Sequence, residues 1–132
     1  METPPREDAA AVAARLACAA AELYAATRDD ASACVFVCVS DTHNLHGAMP
    51  PLPQGDVLLH AGDFTMRGEM EELQQFAGWW RAQAAHFPQR VLIAGNHDFC
   101  LEGDASGHDQ KAGAPQADAL HALCLAHAPL LH

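Results

Sequence analysis

Hydrophobic positions along the chain follow two different rhythms. Three short unbroken apolar runs, Val35–Val39, Val57–Leu59 and Val91–Ala94, are rich in β-branched residues and predict strands buried on both faces, as in a parallel sheet. Two longer stretches step by three and four instead. Val12, Leu16, Leu23 and Thr27 predict an amphipathic packing helix from Ala9 to Ala26, following Pro4-Pro5. Met70, Leu73, Ala77, Trp80, Ala84 and Phe87 predict a second helix. Glu69, Glu71 and Glu72 suit the positive end of its dipole, and Pro88 stops it. Flanked by Val57–His60 and Val91–Ala94, this helix completes a βαβ unit, which requires its two strands to be parallel. Of the adjacent Trp79 and Trp80 only one can face the core, and the stripe selects Trp80.

Between these elements the chain is punctuated. Asn44 to Asp56 holds Pro50, Pro51, Pro53 and Gly55, which fits neither a strand nor a long helix. Gly103 to Pro115 is a second break, and Asp118 to His127 predicts a short helix before Pro129. The organisation is therefore an alanine-rich helical segment (1–33), an α/β unit (34–102), and a loop with a short tail (103–132).

Every strand runs into polar residues at its carboxyl end: Asp41-Thr42-His43, Gly62-Asp63 and Gly95-Asn96-His97-Asp98. In open parallel sheets, ligands collect beyond those ends. Carboxylate, amide oxygen and imidazole are donors for hard or borderline divalent cations. Two such cations ~3.5–4 Å apart can clamp a phosphate and activate a water. Asp41, His43, Asp63 and Asn96 supply that set, with Asp63 placed to bridge. Asp, Asn and Gly also favour ordinary turns, but three such blocks at consecutive strand ends point to a metal site. His60, at a strand end, reads as a packed or hydrogen-bonded histidine, and His46 as a residue at the site mouth.

These blocks carry a family resemblance. Asp41-Thr42-His43, the segment Gly62–Gly68 and Gly95-Asn96-His97-Asp98 match, in order and spacing, the DxH, GDxxxRG and GNHD blocks of the calcineurin-like metallophosphoesterase superfamily. Cys38–His43 and Gly55–Thr65 are similar to its metallophosphoesterase-domain-containing branch. The resemblance spans Cys34 to Leu101 and implies the amino-terminal half of a four-layer α/β/β/α sandwich. Three mainly parallel strands with flanking helices are expected, the second sheet being largely missing.

It also implies two divalent ions of Mn, Fe or Zn type at one edge. Asp41 and His43 would hold the first, Asp63 would bridge and Asn96 would hold the second. His97 would contact the phosphoryl group and assist the leaving oxygen, Asp98 would orient its ring, and Arg67 could meet a phosphate oxygen. The implied substrate is a small phosphate ester, and the implied activity a phosphodiesterase.

Two departures qualify that expectation. Met66 stands where many members have Asp before the Arg-Gly pair. No Gly-His-x-His block follows Asp98, where only His108, His121, His127 and His132 remain; Gly107-His108-Asp109 is the nearest imitation. Few ligands and an uncovered sheet face imply a truncated, less stable enzyme of reduced activity. The alternative is a catalytically incomplete fragment or isoform acting as a binding or interaction protein, with self-association through the uncovered sheet. The tail from Ala117 or the first helix is available to cover that face.

Composition narrows the partners. The chain has 132 residues, 50% of them hydrophobic, with a net charge of -10 and a pI near 5.1, which suits one small domain. Seventeen acidic residues face seven basic ones with no Lys/Arg cluster, so neither a nucleic-acid polymer nor an anionic membrane is an expected partner. The five cysteines (Cys18, Cys34, Cys38, Cys100 and Cys124) are odd in number and lack a CxxC pair. With no basic leader and no apolar run of spanning length expected, the reading is a reduced, cytoplasmic setting.

Overall fold

In the computed structural model, residues 8–101 are described, together with His121 and Leu123. The first helix, α1, spans Ala9–Thr27, and Asp8 caps it by accepting a hydrogen bond from the Ala10 N–H. The helix is where the alanine-rich sequence places it, but it is not a packing helix. None of its residues is buried, and Leu16 and Leu23 are 66% and 61% exposed. Two large apolar side chains among alanines offer too little area to hold it against the sheet. Its residues also correct the expectation that no run reaches spanning length. Alanine's modest hydropathy, summed over an 18-residue window, averages 1.4, so α1 is long and apolar enough to cross a membrane by length and composition.

Behind α1 the chain is tied down at Arg28, whose guanidinium makes two 3.0 Å hydrogen bonds to the Asp56 carboxylate. Asp56 also accepts from the Val35 N–H at 2.8 Å, so one carboxylate aligns the entries to two strands. Those strands are β1 (Phe36–Val39) and β2 (Val57–His60), and β3 (Gln89–Leu92) follows. All pair in parallel in the order β1-β2-β3. The ladder aligns Val37 with Leu58 and Arg90, and Cys38 with Leu59 and Val91. Alternate rows therefore face opposite sides.

One side is covered by α2 (Met70–Ala82), which a short 3₁₀ turn, Gln83–Ala85, extends toward Pro88. Its buried stripe is Leu73, Phe76, Ala77 and Trp80, with Trp79 only partly covered. Phe76 stacks on Phe64 at 4.2 Å and on Trp80 at 5.8 Å, and Leu58 and Phe87 close the core. Among the described residues the other side is open: Phe36, Val91 and Ile93 are 55%, 47% and 55% exposed. Burial on both faces, expected from the unbroken apolar runs, does not occur among the described residues. The uncovered face expected from a missing second sheet does.

β3 begins two residues earlier than its apolar run. Arg90 takes a core-facing position, with its guanidinium donating to the Trp80 carbonyl and lying 5.5 Å from the indole ring. In the proline loop, His46 opens a 3₁₀ turn (His46–Ala48) and is buried against Phe76 and Trp79 rather than at the mouth of the metal edge. Of the tail, His121 and Leu123 are helical, and Leu123 packs against the core cluster. The rest of the expected helix, and Gly107-His108-Asp109, lie outside the described residues.

Candidate metal centre

The loops after β1, β2 and β3 meet at the carboxyl edge of the sheet, and their meeting depends on unusual backbone. Asp41, His43, Asn44 and Asp63 all have positive φ, between 41° and 63°. Left-handed geometry costs roughly 1–2 kcal/mol at a non-glycine residue, least for Asp and Asn. Main-chain bonds hold it in place: Asp41 N–H donates to the Gly62 carbonyl, His43 N–H to Asp63 and Asn44 N–H to Phe64, at 2.8–3.0 Å. Such strain gathers at functional sites. Gly62 (φ 101°) and Gly95 let the second and third loops touch. A Cβ on Gly62 would lie 2.7 Å from the Gly95 nitrogen, and one on Gly95 would collide with the Asp63 carboxylate.

Asp98 fastens the edge. Its carboxylate is fully buried and accepts from the N–H groups of Asp63, Thr65 and Gly95 and from the Thr65 hydroxyl, all at 2.8–2.9 Å. The role expected for Asp98, orienting the His97 ring, is not what the structure shows. Its oxygens are already engaged by four donors, and the His97 Nδ1 meets the Met66 carbonyl at 2.8 Å. A carbonyl only accepts, so Nδ1 carries the proton and Nε2 keeps a lone pair. The departure at Met66 is neutral for this contact, because its main chain makes it.

His43 is set the same way, with Nδ1 facing the Thr65 carbonyl at 3.2 Å. Its Nε2 lies 3.9 Å from Asp41 Oδ1, and its ring stands edge-on to His97 at 4.8 Å. One Asp63 oxygen accepts the His97 main-chain N–H at 2.8 Å, leaving the other for a cation. Asp41, His43 and Asp63 thus present ligand atoms within 4.8 Å of one another. Two carboxylates and one imidazole lone pair fit a divalent cation. Asn96 is on the third loop and is exposed. Arg67 is exposed as well, and its main-chain N–H donates to Glu72 at 2.9 Å.

His60 behaves as a structural histidine, as its strand-end position suggests. It is fully buried, accepts from the Gly62 N–H through Nδ1 and pairs through Nε2 with the Thr42 hydroxyl at 3.0 Å. Burial pushes its pKa down to about 4, against the opposing charge of Asp98. Thr65 was not singled out by the sequence. It links Asp98 to the His97 carbonyl, and a threonine two residues after Asp63 gave no sign of that.

Comparison with known proteins agrees with this geometry. The family model for calcineurin-like phosphoesterases matches residues 35–126. A UPF0046 protein of Caenorhabditis elegans is 43% identical over 82 residues, which is 59% of this chain and 28% of that protein. Human metallophosphoesterase domain-containing protein 1 is 42% identical over 67 residues, 51% of this chain and 20% of its own length. A protein of Emericella nidulans named "Probable rhamnogalacturonate lyase C" is 44% identical over 72 residues, but these are 6% of it, too small a share to bring its name to this chain. The chain thus spans less than a third of the curated relatives it matches. A family match across most of the sequence, falling on the residues that form the metal-type cluster, makes this chain a member of the calcineurin-like phosphoesterase family.

Proposed function

We propose that this chain carries part of the active site of a metal-dependent phosphodiesterase acting on a small phosphate ester. The observation that carries the reading is the convergence of Asp41, His43 and Asp63 within 4.8 Å at the carboxyl edge of the sheet. Asp41, His43, Asp63 and Asn96 would hold the divalent ions, with Asp63 in the bridging role. Bound there, the ions supply charge neutralisation on a phosphate and a more acidic water. His97, with its Nδ1 proton held by Met66, offers Nε2 as the atom that takes or gives a proton near the leaving oxygen. Arg67, exposed after the Asp63 loop, would meet a phosphate oxygen. Asp98 acts one step back, by holding the loops that carry Asp63 and His97.

Each ion would receive about two donors from these residues, so weak metal binding and reduced turnover are expected of the chain alone. A second reading is favoured by the open sheet face: a protein that binds a partner or a second copy of itself through Phe36, Val91 and Ile93, with little or no catalysis. Elemental analysis of purified wild type and Asp63→Ala, followed by manganese-dependent hydrolysis of a bis-aryl phosphodiester, separates the two. Bound metal and turnover that both fall in Asp63→Ala support the hydrolase; metal-free protein with no turnover leaves the binding role.

A further inference from the structure

The carboxylate of Glu72, in the first turn of α2, is shared among three main-chain donors that follow Asp63. Oε2 accepts from the Arg67 N–H at 2.9 Å and the Glu69 N–H at 3.1 Å, and Oε1 from the Met66 N–H at 3.3 Å. The Glu69 bond is half of a capping box, which accounts for a glutamate at the third position of the helix. The bonds to Met66 and Arg67 lie upstream and are not part of that cap. Burial works against the charge, but these N–H donors outweigh it and hold the carboxyl below its usual pKa.

The Arg67 bond gains its meaning from the other side of the same peptide unit. The Arg67 N–H and the Met66 carbonyl belong to one planar group and point in opposite directions. While the N–H faces Glu72, the carbonyl faces His97, whose Nδ1 lies 2.8 Å away. Carboxylate, peptide and imidazole thus form one chain with its donors all oriented the same way, an arrangement in which each bond polarises the next. The flanking residues are fixed to the His97 loop by other means. Thr65 donates to the Asp98 carboxylate and the His97 carbonyl, and a Cβ on Gly68 would lie 2.6 Å from the Phe99 nitrogen. What they leave open is the orientation of the peptide between them, which can turn over as the central peptide does between type I and type II turns.

We infer that Glu72 is a positioning residue for His97: by accepting the Arg67 N–H it holds the Met66 carbonyl toward Nδ1, which keeps the proton on Nδ1 and the lone pair on Nε2. Turned over, the peptide would present its N–H to the ring, and a donor there selects the opposite tautomer. The value of this for catalysis rests on the phosphodiesterase reading, in which Nε2 exchanges a proton; the orientation itself does not.

The test reads the ring nitrogens directly, by long-range proton–nitrogen NMR with a chelator present, at about pH 8.5, above the ordinary range of histidine titration. Wild type is expected to hold His97 mainly in the Nδ1–H form. Glu72→Ala should lower the ratio of Nδ1–H to Nε2–H about fivefold, the worth of one net hydrogen bond. Glu72→Gln, which keeps an acceptor for Arg67, should stay within about twofold of wild type. Glu69→Ala should do the same, because it removes the other half of the capping box and leaves the Arg67 bond, so a merely weakened helix start is told apart. Should Glu72→Ala not fold, Glu72→Asp takes its place: the negative charge at the helix start is kept, one methylene less withdraws the oxygen from Arg67, and the ratio should again fall. A wild-type ring in the Nε2–H form, a ratio indifferent to Glu72→Ala or Glu72→Asp, or an equal fall in Glu72→Gln or Glu69→Ala would each overturn the inference. Turnover plays no part in the readout, so an inactive wild type would strike the phosphodiesterase reading and leave this one standing.

Discussion

The two faces of the sheet share the same three strands and the same alternation, yet they end in opposite states. Against α2, Leu58, His60, Leu73, Phe76 and Trp80 have no exposed surface; across the sheet, Phe36, Val91 and Ile93 are about half exposed. The contrast shows that the carboxyl edge does not rely on two packed layers. Its loops are held laterally, by Asp98 and by main-chain bonds between successive strand ends. The candidate metal ligands can therefore stay together while one side of the sheet is bare.

The largest expected effect contrasts those faces directly. Trp80→Ala should destabilise by about 3–5 kcal/mol in urea unfolding, since it empties a large fully buried site. Phe36→Ala, on the open face, should change stability by no more than about 0.5 kcal/mol. Similar losses from the two would mean that something covers the open face in solution, and concentration-dependent sedimentation would then show whether it is a second copy.

A pH titration sharpens the same contrast, because His60 lies on the packed face. Its pKa is about 4 when folded, against an ordinary value near 6.5, so the unfolded chain takes up a proton in that interval which the folded protein refuses. Stability is full above pH 6.5 and declines as pH falls toward 4, by up to about 3 kcal/mol. His46, with its pKa also pushed down by burial, adds loss of the same sign. His60→Gln should flatten the slope between pH 6.5 and 4; an unchanged slope would place the titrating group elsewhere.

The lateral clamp is tested next. Asp98→Asn exchanges an acceptor of four hydrogen bonds for a group that accepts through one oxygen only, and a cost of about 2–3 kcal/mol is expected. Where metal is bound, affinity should fall 10–100-fold, as when outer partners of a metal site are removed. Unchanged affinity with lost stability would confine Asp98 to folding.

These residues also show what could be read from the sequence. The helical stripe of α2 and the three strand ends were legible because apolar spacing and motif order record them directly. The start of β3 was not, since Arg90 occupies a core-facing ladder position that no hydrophobic pattern marks; its place is set by the Trp80 carbonyl and ring. Asp98 was recognised as important but given the wrong partner. Adjacency in Gly95-Asn96-His97-Asp98 suggests contact with His97, whereas the 3₁₀-like turn after Gly95 directs the carboxylate back to Asp63 and Thr65. The apolar runs implied two covered faces because their composition cannot say whether a covering layer is in the same chain.

The smallest expected effect belongs to α1. At 19 residues α1 is only a little longer than the ~12–15 below which even alanine-rich helices are marginal in water, and it buries none of its side chains to add stability. Replacing Leu16 and Leu23 together by Gln should therefore move urea-unfolding stability by no more than about 0.5 kcal/mol, because both side chains are already in solvent. Amide hydrogens of α1 should exchange near the unprotected rate while those of β2, the central strand, exchange only by global opening. Strong protection across Leu16–Leu23, lost in the double variant, would instead mean that the helix has a docking surface. The bare face at Phe36 and Ile93 is the first place to look for it, by repeating the exchange in Phe36→Ser.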